Sequence, residues 1–174
     1  MSLHCRPINA HTQKGMSLIS SIISLVCLGL LLSAGLSSIS SGHHQRLLLT
    51  ESQSLKQLIT TAKQYSYSEQ HPVTLCGSRD GTVCLKQGIW QWALVIDTHT
   101  RTIITRHAVA DSLAVSWKGF RSRLDFNPTP WRQALNGRLT ICHPDAPEAQ
   151  AYQLIINAMG RVRTQQSSRE CTTS

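Results

Sequence analysis

A chain of 174 residues can hold one domain and an appended segment, but not two sizeable cores. Its formal charge of +8, from 17 basic and 9 acidic side chains, favours anionic partners such as nucleic acid, acidic glycans or anionic lipid. The histidines and serines form no recognisable nucleophile motif, and there is no phosphate-cradling glycine loop or metal-binding helix motif, so nothing recommends an enzyme or a cofactor.

Residues 1–15 are polar and end in Lys14-Gly15. No charged residue follows until after Gly42, and this uncharged run, densest in apolar residues from Ile22 to Leu36, is long enough to span a bilayer. Ordinary secretory signals are cut after their apolar core. A cut after Gly15 would instead leave the core on the mature chain, which would begin at Met16. This arrangement resembles the class III leader of type IV pilins and type II secretion pseudopilins. The resemblance implies that a prepilin peptidase cleaves after Gly15 and methylates Met16, with the helix left in the inner membrane and the remaining chain periplasmic. Cleavage would remove two of the basic residues, Arg6 and Lys14, and leave a charge of +6. The family usually carries glutamate at the fifth mature position; Ser20 stands there in this chain, which suits a rare or tip-located subunit. Gly29 and Gly35, with the serines between Ser17 and Ser41, allow close helix approach.

Beyond Gly42, Leu48, Leu55, Leu58, Ile59, Ala62 and Tyr65 recur at helical spacing, with Glu51, Lys56 and Lys63 on other faces. Pro72 ends the pattern. The chain therefore reads as a leader over 1–15, a transmembrane segment over 16–42, an amphipathic continuation of one helix over 43–71, and a domain of short strands over 72–174. His43 and His44 point about 100° apart on a helix and read as a solvated pair, not a chelate.

Pro72–Cys76 and Thr82–Leu85 flank a turn-like Gly77–Gly81 and predict a hairpin. Further strands are expected at Ile89–Asp97, Arg101–Val109, Leu113–Lys118, Arg123–Phe126, Arg138–Cys142 and Tyr152–Ile156. Trp90 and Trp92 are expected to share one face of a single strand, as core. Four cysteines fall in this part, Cys76, Cys84, Cys142 and Cys171, a number suited to two disulfides in an exported domain. Three pairings are possible. Cys76–Cys84 with Cys142–Cys171 is favoured, because each pair joins segments that sheet connectivity could bring together. The spacings lack the tight pairs of a zinc ribbon.

The ordered set of leader, long helix, Val73-Thr74-Leu75-Cys76-Gly77-Ser78, Cys84, a tryptophan-bearing strand, Phe126-Asn127-Pro128, Leu139-Thr140-Ile141-Cys142, Leu154-Ile155-Ile156-Asn157 and Gly160-Arg161-Val162-Arg163 resembles the GspH/FimT family of type IV minor pilins and type II secretion pseudopilins. The resemblance covers essentially the whole mature chain. It implies an α+β, type IV pilin-like fold, a long N-terminal helix on a C-terminal antiparallel sheet domain, and other pilins or pseudopilins as partners.

Gly160-Arg161-Val162-Arg163 further resembles the GRxR motif of the FimT branch, which is linked to DNA uptake in natural transformation. In extended chain Arg161 and Arg163 project from one face about 6.5–7 Å apart, close to the spacing of phosphates along a DNA strand. Guanidinium groups bind phosphate bidentately. Gly160 permits a turn or close backbone approach, and Arg169 lies on a tail that Cys171 could tie back to Cys142. Arg121, Arg123 and Lys118 are second-rank contacts. The expected function is thus non-specific binding of double-stranded DNA by a minor pilin. The alternative is a structural pseudopilin or assembly-priming subunit whose basic tail is incidental.

Overall fold

The computed structural model describes residues 18–129, 135–145 and 150–167; the side chains of 31–41 lie outside that description. The expected processing site at Gly15 and Met16, and Arg169 and Cys171 of the tail, fall outside the described residues.

The described residues begin with the helix α1 (Leu18–Ser68). The chain divides into two compact units at Ile39/Ser40. In the first unit Leu18, Ile19, Leu25 and Leu30 are exposed. No helix among the described residues is long and apolar enough to cross a membrane. The apolar run expected to do so, Ile22 to Leu36, extends into the side chains that are not described.

In the second unit, α1 ends where Gln70 takes a positive φ of 56° and Pro72 removes a donor. The Gln70 side-chain amide donates to Tyr67 O at 2.7 Å, satisfying a late helical carbonyl. Among the described residues nine strands follow: β1 (Val73–Ser78), β2 (Ile89–Trp90), β3 (Trp92–Asp97), β4 (Thr102–Ala108), β5 (Ala114–Gly119), β6 (Leu124–Phe126), β7 (Gly137–Cys142), β8 (Ala151–Ile156) and β9 (Val162–Ser167). They form two antiparallel sheets, one ordered β4-β3-β1-β6 and the other β2-β5-β7-β8-β9. Leu48, Leu55, Ile59 and Ala62 of α1 share one core with Val73 and Leu75, Ala93 and Val95, Leu124 and Phe126 of the first sheet. Val115, Leu139, Ile141, Tyr152, Leu154 and Ile156 of the second sheet complete it. A stripe at helical spacing thus meets strands that include β1, buried along its whole length.

The structure corrects four expectations. Thr82–Leu85 is not a strand: β3 and β6 pair with β1 over Val73–Ser78 and Val73–Leu75, and Leu85 meets the remaining edge through a hydrogen bond, its N–H donating to Gly77 O at 2.7 Å. The intervening segment is instead organised by Asp80, whose carboxylate accepts from the N–H groups of Thr82 and Val83 and from the Ser78 hydroxyl. The expected Cys76–Cys84 disulfide does form, with Cα atoms 5.6 Å apart, and ties this segment back to β1.

Trp90 and Trp92 do not share a face. The ladder changes sheets at Gln91, so Trp90 enters the core while Trp92 sits on the opposite side, over Gly81. The Trp90 ring occupies the space that a Cβ at Gly77 would need, 2.0 Å from that position. Glu51, expected on a face other than the apolar stripe, is buried and bonds to His107 of β4 at 2.7 Å. The histidine pair also divides: His43 is exposed, but His44 packs edge-on against buried His143, ring centroids 4.4 Å apart.

Candidate nucleic-acid interface

Val115, Leu139, Tyr152, Leu154 and Ile156 turn one face of the five-stranded sheet into the core. The intervening residues therefore stand on its other face. Strand register aligns them in rows. Lys118 lies opposite Arg138, Arg138 opposite Ile155, and Ile155 opposite Arg163. With strands about 4.8 Å apart, the row from Lys118 to Arg163 spans about 14 Å. Its neighbouring row toward the strand middles is Ser116, Thr140, Gln153 and Gln165, so neither contains a carboxylate.

Arg161 adds a fourth cation through the β8–β9 turn. Gly160 has a φ of 71° and donates its N–H to Asn157 O at 2.9 Å, while Asn157 N–H donates to Arg161 O at 3.1 Å. This is a tight turn closed by a glycine bulge, a conformation that a side chain at residue 160 would strain. Asn157 Oδ1 braces it by accepting from the N–H groups of Met159 and Arg161, at 3.1 and 2.8 Å. Gly160 is therefore a hinge of the turn and buried, while Arg161 and Arg163 on either side of Val162 are exposed. Val162 packs inward against the core, so the two arginines face outward together.

Among the described residues no carboxylate pairs with Lys118, Arg138, Arg161 or Arg163. Directly opposed like charges destabilise a sheet by a few tenths of a kcal/mol or more, and Lys118 against Arg138 is such a pair. An anion laid across the row relieves that repulsion.

The other basic residues singled out from sequence differ in setting. Arg121 and Arg123 lie just before β6 of the four-stranded sheet, and both bind Asp125 within it, at 3.2 Å each. Asp125 also accepts from Thr74 Oγ1 at 2.7 Å. Their guanidinium groups remain exposed, but part of their charge is neutralised. Arg138 was not singled out from sequence. Its strand pattern, polar before Leu139 and Ile141, placed it outward; its position between Lys118 and Arg163 depends on strand order, which no local pattern reveals. Cys142 at the far end of β7 is disulfide-bonded.

The fold is that of minor pilins and pseudopilins. The type IV minor pilin FimU of Pseudomonas aeruginosa superposes with a TM-score of 0.51 at 15% identity, covering 72% of this chain and 93% of that one. The minor pseudopilin EpsH from the type 2 secretion system of Vibrio cholerae superposes with a TM-score of 0.51 at 8% identity, covering 71% and 97%. The family model described as type II transport protein GspH matches residues 51–160, and the chain belongs to that family. No curated protein matches it in sequence.

Proposed function

We propose that this chain is a minor type IV pilin that binds double-stranded DNA without sequence preference for uptake in natural transformation, a binding and not a catalytic role. The observation that carries this reading is the gathering of Lys118, Arg138, Arg161 and Arg163, none paired with a carboxylate among the described residues, at one end of an outward sheet face. The class III-like leader supports the rest of the assignment: cleavage after Gly15 by a prepilin peptidase, methylation of Met16, and residence in the inner membrane before assembly with other pilins. The pilus then exposes the sheet domain outside the cell, and its retraction draws bound DNA to the surface. Contacts to phosphate position the duplex and carry no sequence information.

The test is a gel-shift titration of the full chain in detergent against duplex DNA at two salt concentrations. Binding should weaken steeply with salt. Replacing Arg161→Ala and Arg163→Ala together should lower the log–log salt slope by about two and weaken all sequences alike, with thermal stability nearly unchanged. Parental binding by the double variant would remove the site assignment. A second reading, a structural pseudopilin of a type II secretion system, is supported by the GspH family model and the likeness to EpsH. It predicts no binding by the folded parent and a secretion defect on deletion.

A further inference from the structure

Phosphate binding does not account for Phe120. It is 81% exposed, the largest exposure of any large apolar side chain among the described residues. A single exposed apolar residue ordinarily needs no explanation. The backbone on both sides of this one, however, is fixed. Phe120 N–H donates to Asn136 O at 3.0 Å, extending the β5–β7 ladder by one step. Gly119 lies under the Trp117 ring, where a Cβ would come within 2.2 Å, and Trp117 Nε1–H donates to Arg121 O at 2.7 Å. An aromatic ring is thus carried into solvent on a corner braced before and after it.

Its surroundings are cationic and polar. Lys118, which begins the basic row, lies two residues before it, Arg121, paired with Asp125, follows it, and Asn136 opposite is exposed. Successive residues on one strand face are about 6.6 Å apart, so the ring stands within one nucleotide's reach of the Lys118–Arg138 pair. A contact to another protein subunit favours an apolar patch around its anchor. A ring beside a row of cations has the composition of a single-strand platform, in which charge tracks the backbone and aromatic faces take bases.

Building on the phosphate-binding reading above, we propose that Phe120 is a stacking platform for an unpaired base. On this view the sheet face binds single-stranded DNA, or the frayed end of a duplex, through base stacking on Phe120 together with phosphate contacts along the row. Stacking is tolerant of sequence, because every base presents a π-face.

Fluorescence anisotropy of the full chain in detergent, with a labelled oligothymidine and a labelled blunt duplex, tests this. Phe120→Ala should weaken oligothymidine binding about tenfold and leave the duplex within about twofold. The salt slope should not change, since no phosphate contact is lost. Phe120→Trp should restore oligothymidine affinity. Equal weakening of both ligands, or of neither, overturns the platform. If Phe120→Ala is silent while the Arg161/Arg163 double variant still loses binding, only the platform fails. If both variants bind like the parent, the DNA reading fails with it. Intact DNA binding by Phe120→Ala, combined with lost incorporation into filaments, would make the ring a protein contact instead.

Discussion

Glu51 occupies a helical position that periodicity alone assigns to solvent, yet only 7% of it is exposed. The partner that makes this tolerable is distant in sequence: His107 Nε2 lies 2.7 Å from Glu51 Oε1. A buried carboxylate is costly unless it is paired and hydrogen-bonded. The bond to Glu51 raises the His107 pKa above its ordinary value, against partial burial, which lowers it. A group whose folded pKa is raised contributes stability that is fully present below its unfolded pKa, near 6.5, and is lost as pH rises through the folded value. His107→Gln should therefore destabilise the domain by about 1–2 kcal/mol at mildly acidic pH and by less in the alkaline range. Thermal melts of parent and variant at the two pH values measure the difference; an equal loss at both would mean that charge contributes nothing.

The β8–β9 turn shows how an element sets the phase of a binding motif. Gly-Arg-x-Arg reads from sequence as an extended run with a permissive glycine. In the structure the glycine is the left-handed member of a bulge, and the bulge determines that Arg161 and Arg163 straddle an inward Val162. Gly160→Ala should cost about 1 kcal/mol, because alanine disfavours the left-handed region. Gly160→Asn should cost less, since asparagine tolerates that region. Chemical denaturation of the two variants provides the check, and an alanine variant as stable as the parent would remove the turn argument. The hairpin expected at Val73–Leu85 fails for the opposite reason. Its turn-forming residues are present, but β1 pairs along its length with β3 and at Val73–Leu75 with β6, both distant in sequence, while Leu85 N–H donates to Gly77 O without forming a strand.

At the scale of the whole second unit, Leu48, Leu55, Ile59 and Ala62 of α1 share one core with both sheets. Leu55 is 1% exposed and belongs to a cluster drawn from both. Leu55→Ala should cost about 3 kcal/mol, by lost transfer free energy and the cavity left behind. Because the core is shared, the unit should still unfold in one transition, with tryptophan fluorescence and far-UV dichroism coincident. Separate midpoints for the two probes would show that the sheets are independently stable. The same architecture displays the basic row, since packing one face of the five-stranded sheet against the shared core leaves its other face for Lys118, Arg138 and Arg163.

Periodicity and local chemistry were sufficient for the α+β class, the apolar helix face at Leu48, Leu55, Ile59 and Ala62 and most strands, and they favoured the Cys76–Cys84 bridge among three possible pairings. Each depends on residues near one another along the chain, where side-chain alternation and turn residues act directly. Tertiary structure decided the transfer from one sheet to the other at Gln91, the burial of Glu51 against His107, and the placement of Arg138 beside Lys118 and Arg163. It also separated Arg121 and Arg123 from that row and paired them with Asp125. Those outcomes follow from strand order and register, which are set by the joint burial of residues far apart in sequence.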